Sequence, residues 1–157
     1  MLDAAIVGMG RWGRTLVESV QGKSAAIRFV AGCTRSPEKA ADWAKAQGVR
    51  MLDGYQAVLA DPAVKAVVLA TSHSRLAEQV AAAARAGKQV FVEKPFTLTR
   101  ASAEQAVEAV RKARVVMALG HNRRFQPAVA RLKAMIAEGA LGTLCHIDGN
   151  ISGTGAL

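Results

Sequence analysis

Three glycines near the start of the chain have the spacing that allows a backbone turn to hold a pyrophosphate group. Residues 8–13 form the pattern G-x-G-x-x-G directly after a short apolar run. In a dinucleotide-binding fold these glycines permit a tight turn, while the unpaired amides of the following helix direct partial positive charge at the phosphates. The alternative is an ordinary tight turn in an α/β core. The residues predicted to bind the cofactor here are Gly8, Met9, Gly10, Arg11, Trp12 and Gly13.

The residues that follow the second apolar run predict which dinucleotide binds. An acid at this point would accept a hydrogen bond from the ribose 2′-hydroxyl of NAD, whereas an arginine accommodates the 2′-phosphate of NADP. The segment contains Thr34, Arg35 and Ser36 and no acid. Because a guanidinium suits a phosphate, we expect NADP(H) to be preferred, with NAD possible. In the alternative interpretation, Ser36 caps the next helix and Arg35 is a solvated surface charge.

Polar residues also follow the fourth and fifth apolar runs. Ligands of open α/β sheets bind beyond the carboxyl ends of the strands, so Thr71, Ser72 and His73 are predicted to contact the cofactor. The alternative is that Ser72 or Ser74 caps a helix and that His73 is merely exposed.

Glu93-Lys94-Pro95 follows the fifth run and offers a group for proton transfer. The Lys94 ammonium could polarise a substrate hydroxyl or exchange a proton with it, which makes Lys94 the predicted catalytic residue. Glu93 is a predicted cofactor contact that could hold this ammonium, or it could be a surface partner of little effect.

A polar cluster follows the sixth run. Asn122 and Arg124 are predicted to approach the same crevice, and the alternative is a wet loop that caps the next helix. His121 has no metal-ligand spacing with His73 or His146, so no metal site is expected.

Apolar runs alternate with helical patterns along the chain, which predicts an α/β fold of the Rossmann type with a doubly wound parallel sheet. Strands are expected at about 2–8, 27–33, 49–52, 64–70, 89–92 and 115–119, and a further strand at 143–151. Helices are expected at about 11–21, from Ser36 to Gly48, at 55–59 and 74–86, from Thr99 or Ser102 to about 113, and at 126–137. Residues 1–121 would be the NAD(P)-binding domain. Residues 122–157 would be a connecting helix and the first strand of an otherwise missing second domain.

Composition narrows the function. The chain has 157 residues and a net charge of +9. Its 21 basic residues are mixed with 12 acids, and aromatic residues make up only 4% of the chain. No nucleic-acid partner is therefore expected. No run reaches the roughly 18 apolar residues of a membrane span, and no secretory signal is visible. Cys33 and Cys145 are expected to be free thiols of a cytoplasmic protein.

In their order along the chain, these segments resemble the N-terminal domain of the Gfo/Idh/MocA family of NAD(P)-dependent oxidoreductases. Glu93-Lys94-Pro95 is the most specific of them. The resemblance implies that Lys94 lies beside the nicotinamide and that Asn122 and Arg124 lie near the active crevice. It also implies an enzyme that oxidises or reduces a sugar, cyclitol or related hydroxyl compound, and a homo-oligomer. Many members carry an acid where this chain has Thr34, which supports NADP.

The family's C-terminal domain supplies most of the substrate pocket, and nothing here matches that domain beyond 143–151. The alternative function is therefore a non-catalytic dinucleotide-binding fragment or sensor. A reading frame that continues beyond Leu157 would favour the enzyme, and a natural stop codon there would favour the alternative.

Overall fold

The computed structural model describes residues 1–150, which contain six strands and six α-helices. The strands are β1 (Leu2–Val7), β2 (Ile27–Cys33), β3 (Arg50–Met51), β4 (Ala66–Leu69), β5 (Gln89–Val92) and β6 (Met117–Leu119). The helices are α1 (Arg11–Val20), α2 (Ala41–Ala46), α3 (Gly54–Ala60), α4 (His73–Arg85), α5 (Arg100–Ala113) and α6 (Pro127–Ala137). Two short 3-10 turns cover Pro37–Lys39 and Asn122–Phe125.

All six strands belong to one parallel sheet in the order β3-β2-β1-β4-β5-β6. This order confirms the predicted doubly wound Rossmann-type fold. The direction of winding reverses between β1 and β4, which are neighbours in the sheet. Loops that leave the carboxyl ends of these two strands diverge to opposite faces, and the crevice between them is where such sheets bind ligands.

Both faces of the sheet are buried, which explains why its central strands are apolar at nearly every position. Successive side chains of a strand point to opposite faces, so Ala5 and Val7 of β1 join one core cluster and Ala4 and Ile6 join the other. Helices α3, α4 and α5 contribute to the first cluster, and α1 and α2 contribute to the second. The carboxyl ends of β1, β2 and β4 are therefore supported from both sides.

The predicted helix from Ser36 to Gly48 is wrong in its first part. A 3-10 turn covers Pro37–Lys39, the α-helix begins only at Ala41, and the Ser36 side chain makes no capping hydrogen bond. The cause is a tertiary contact, because the Arg14 guanidinium donates a hydrogen bond to the carbonyl oxygen of Lys39 at 2.6 Å. The Ser36 hydroxyl is thus left beside the crevice.

The strand predicted at 143–151 is also wrong over the described residues. Residues 143–150 contain no strand, and Ile151 lies outside the described part of the chain. A strand gains its ladder hydrogen bonds only from a neighbouring strand, and no described segment pairs with this one. Cys145 lies in this irregular segment, and both cysteines are free thiols as expected.

The chain divides into two compact units, the first comprising residues 1–120 and the second beginning at His121. The whole sheet lies in the first unit. In the second, Val129, Leu132 and Ile136 of α6 are each at least 41% exposed, so among residues 121–150 no element covers this apolar stripe of the helix. Within residues 1–150, every helix is too short or too polar to cross a membrane.

Candidate nucleotide-binding site

The glycine-rich turn joins β1 to α1. At two of its glycines the neighbouring backbone lies so close that no side chain would fit. Gly8 has a φ of +99°, in the region that favours glycine, and a Cβ there would lie 2.5 Å from the carbonyl oxygen of Ala70. A Cβ on Gly13 would lie only 1.9 Å from the carbonyl oxygen of Gly8. These two glycines therefore let the turn pack between α1 and the end of β4.

Gly10 has a different surrounding, because a Cβ on this residue would meet nothing within 4 Å. It precedes α1, where no side chain caps the helix and the first turn contains no acid. The first hydrogen bond of the helix runs from the amide of Arg14 to the carbonyl oxygen of Gly10 at 3.0 Å, so the amides of Arg11 and Trp12 precede it. Open space beside unpaired amides is what a pyrophosphate requires.

A cleft of about 480 Å³ lies over this turn and brings together residues that follow β1, β2 and β4. Half of the predicted cofactor-binding residues line it, namely Gly8, Met9, Gly10, Thr34, Arg35, Ser36, Thr71 and Ser72. Those of the first unit that do not line it are Arg11, Trp12, Gly13, His73, Glu93 and Lys94. Asn122 and Arg124 are exposed residues of the second unit, and their role stays a prediction.

Positive charge dominates the cleft. Arg14, Arg35, Lys39 and Arg75 line it, and among the residues that the structure describes no Asp or Glu does so. Such a one-sided distribution attracts anions. Sequence reasoning identified only Arg35 of these four, because the other three come from helices and a turn whose approach depends on tertiary packing.

Arg14 positions the walls of the cleft. Its Nε donates a hydrogen bond to the carbonyl oxygen of Met9 at 3.2 Å, and another nitrogen bonds to Lys39 as described above. The guanidinium also lies 5.3 Å from the ring centroid of Trp43, a cation–π distance. Arg14 thus links the glycine-rich turn to the segment that follows β2. The Met9 side chain is buried in the core cluster that also contains Ile6 and Val17.

The wall formed by α4 is held by a buried glutamine. The Thr71 hydroxyl donates to the side-chain oxygen of Gln79, and the Tyr55 hydroxyl donates to the backbone carbonyl of Gln79 at 2.7 Å. Burial raises the pKa of Tyr55, so its hydroxyl keeps the proton that this hydrogen bond needs. These contacts join α3, α4 and the end of β4 into one wall.

The structure shows the surroundings of Ser72 and His73, for which the sequence left alternatives open. Ser72 stands at the N-cap of α4 but its side chain makes no capping hydrogen bond, so its hydroxyl is available to a ligand in the cleft. His73 is the first residue of α4 and is exposed, and its contact with the cofactor stays a prediction.

Cys33 closes the cleft at the tip of β2 and is unreactive there. Burial raises the pKa of its thiol to about 11, and the positive charge of Arg75 offsets part of this effect. The thiol is therefore protonated near neutral pH and serves as a small apolar lining group.

Glu93 and Lys94 do not form the ion pair that the sequence suggested as possible, nor is Glu93 a surface residue. Glu93 is only 7% exposed, and its Oε2 accepts a hydrogen bond from the backbone amide of Lys94 at 3.2 Å. Its Oε1 has no partner within the described structure. A Cβ on Gly120 would lie 2.6 Å from this oxygen, so the carboxylate occupies space that glycine leaves open.

The Lys94 side chain itself is exposed, and in residues 1–150 its ammonium makes no ion pair or side-chain hydrogen bond. The peptide bond between Lys94 and Pro95 is cis. The buried Glu93 carboxylate thus fixes the backbone of Lys94, the predicted catalytic residue. The Lys94 ammonium is left available to another molecule.

The fold and the cleft define a dinucleotide-binding α/β domain of the Rossmann type. The chain belongs to the Gfo/Idh/MocA family: residues 2–121 match the family model described as "Oxidoreductase family, NAD-binding Rossmann fold". This match confirms the resemblance drawn from the sequence, and it supports a nicotinamide dinucleotide as the cofactor.

Individual relatives agree with this assignment. The chain is 36% identical to scyllo-inositol 2-dehydrogenase (NAD(+)) of Bacillus subtilis, over 97% of this chain and 45% of the relative. It is 33% identical to 1,5-anhydro-D-fructose reductase of Ensifer adhaerens, over 85% of this chain and 43% of the relative. Apo scyllo-inositol dehydrogenase of Lactobacillus casei superposes with a TM-score of 0.85 and 26% identity, over 90% of this chain and 43% of that one. The chain therefore spans less than half the length of these relatives.

The two backbone contacts of the turn predict a difference between glycine variants. Gly13→Ala should lower the free energy of unfolding by about 3 kcal/mol or more, because the new methyl group meets backbone that cannot move aside. Gly10→Ala should change it by less than about 1 kcal/mol, since its Cβ enters open space. Urea unfolding followed by circular dichroism measures both, and equal losses would contradict this account of the turn.

Proposed function

We propose that this chain is the cofactor-binding half of an oxidoreductase that uses NADP(H) and acts on a hydroxyl-bearing carbon of a sugar or cyclitol. The observation that carries the proposal is the cleft over the glycine-rich turn that precedes α1, which is lined by four cations and, in the described residues, by no carboxylate. A ligand with several phosphates fits this distribution of charge. Relatives named for inositol and anhydrofructose chemistry support a polyhydroxylated ring compound as the substrate class.

The preference for NADP over NAD is argued from the segment after β2. Arg35 is exposed and lines the cleft, and the hydroxyls of Thr34 and Ser36 stand beside it. The Ser36 side chain makes no capping bond, which leaves its hydroxyl available for a phosphate oxygen. The Bacillus relative is named for NAD(+), so the preference proposed here depends on the residues of this chain alone.

Lys94 is proposed as the catalytic residue. When bound, the nicotinamide supplies the chemistry of hydride transfer. The Lys94 Nζ would hydrogen-bond to the oxygen of the substrate hydroxyl. It would take the hydroxyl proton when the carbon is oxidised and return that proton when the carbon is reduced. Glu93 would keep the backbone of Lys94 in place, and its carboxylate is also proposed as a contact of the cofactor. His73, Asn122 and Arg124 are proposed as further contacts.

We also propose that the protein works in the cytoplasm as a homo-oligomer. The free thiols support the cytoplasmic location, and the exposed apolar stripe of α6 supports the homo-oligomer.

Association of the chain should be visible in light scattering as a mass above that of one chain. Replacement of Leu132 and Ile136 by Gln should reduce it, and a monomeric unmodified protein would contradict the proposal.

The cofactor proposal predicts a selective effect of Arg35. In Arg35→Ala the affinity for NADPH should fall by about tenfold or more, as expected for a lost charged hydrogen bond, while that for NADH changes less than about threefold. Isothermal titration calorimetry measures both dinucleotides.

Two further variants serve as comparisons for Arg35→Ala. Gly10→Ala should weaken NADPH and NADH alike, because its methyl group occupies the open space beside the helix amides. Arg100→Ala, which removes an exposed arginine of α5, is the matched control. If the unmodified chain binds neither dinucleotide, the cofactor proposal is wrong. If Arg35→Ala keeps its NADPH preference, only the role of Arg35 is wrong.

The catalytic proposal predicts that Lys94→Met separates binding from turnover. In the oxidoreductase of which this chain is proposed to be the cofactor-binding half, oxidation of a polyol should slow by about 10²-fold or more, the usual contribution of a general acid or base, while NADPH affinity stays within about threefold. The absorbance of reduced nicotinamide reports turnover and calorimetry reports binding. Lys112→Met, an exposed lysine of α5, is the control. A Lys94→Met protein with normal turnover would refute the assignment.

A further inference from the structure

The cleft carries unpaired positive charge on two walls. Arg35 follows β2, whereas Arg75 lies in the first turn of α4, which follows β4. Strands β2 and β4 flank β1 on opposite sides in the sheet. The two arginines therefore enter one cleft from opposite sides of the β1 end.

Arg75 is not engaged by the protein itself. Its side chain is exposed, and within residues 1–150 it makes no ion pair and no side-chain hydrogen bond. Arg14 is the contrasting case, since two backbone carbonyls and the Trp43 ring hold its guanidinium. Of the arginines that line the cleft, Arg14 thus has a structural role, and Arg35 and Arg75 are left for a ligand.

The charge of Arg75 acts electrostatically on a residue at the tip of β2. Its positive field lowers the pKa of the Cys33 thiol against the larger opposing effect of burial. Cys33 is the last residue of β2 and stands two residues before Arg35. The side chain of Arg75 is therefore electrostatically coupled to the strand tip from which Arg35 extends.

The wall that carries Arg75 is well anchored. Gln79 lies four residues further along α4, on the same face of the helix as Arg75. It is 4% exposed and is held by the hydroxyls of Thr71 and Tyr55. A guanidinium on a supported helix face keeps its position when a ligand binds, which favours affinity.

We propose that Arg75 is a second specificity-determining residue, which grips the 2′-phosphate of NADP(H) from the α4 wall while Arg35 grips it from the β2 wall. This inference rests on the proposed cofactor function. Two guanidinium groups suit a phosphate dianion because each can donate two parallel hydrogen bonds. The adenosine end of the cofactor would then lie between the walls, beside the small lining group Cys33.

The test compares Arg75→Gln with Arg85→Gln, a matched control at the other end of α4. Arg75→Gln should weaken NADPH by about tenfold or more and NADH by less than about threefold, since only NADPH carries the 2′-phosphate. Arg75→Lys should restore part of the loss, and Arg85→Gln should change nothing. Calorimetry with adenosine 2′-monophosphate and adenosine 5′-monophosphate isolates the phosphate, and only the first should lose affinity. Thermal unfolding monitors the fold of each variant.

The outcomes separate this inference from the proposal on which it rests. Equal losses for NADPH and NADH in Arg75→Gln would place Arg75 at the pyrophosphate or in the fold and would overturn the inference. An unchanged NADPH preference would overturn it as well, while Arg35→Ala could still confirm the cofactor proposal. An unmodified chain that binds neither dinucleotide, or prefers NADH, would overturn both. If both arginines hold one phosphate, the effects of Arg35→Ala and Arg75→Gln in the double variant should not be additive.

Discussion

The contact between the backbone of Gly8 and that of Gly13 is the constraint on which the site depends. The Gly8 carbonyl occupies the space that any side chain at position 13 would need, and Gly8 itself lies against the backbone of Ala70. These contacts bring the start of α1 close to the ends of β1 and β4. Without that approach, the amides of α1 would point away from the crevice at the switch in strand order.

The charges of the cleft follow from the same arrangement. Arg14 can reach the carbonyls of Met9 and Lys39 only because α1 begins beside the segment after β2. That contact replaces a helical turn by a 3-10 turn and leaves the Ser36 hydroxyl uncapped. One arginine is thus used to build the cleft, and the others remain available for a phosphate-rich ligand.

The sequence predicted the parts that depend on local pattern. The strands, the parallel sheet and the glycine-rich turn were recognisable because their spacing is imposed by backbone geometry. The helix from Ser36 and the strand at 143–150 were predicted wrongly, since a contact with Arg14 decides the first and the lack of a described pairing strand decides the second. The roles of Arg14 and Arg75 could not be read from spacing, because they depend on which helix faces the cleft.

The carboxylate of Glu93 also has a bearing on where the chain leaves the sheet. Gly120 is the last residue of the first unit, and its amide donates to the carbonyl oxygen of Val92 at 2.8 Å. The missing side chain at position 120 makes room for the acid that steadies the backbone of Lys94. A side chain at position 120 would enter the space that the Glu93 carboxylate occupies, so the acid beside Lys94 and the point where the chain leaves the sheet share one spatial constraint.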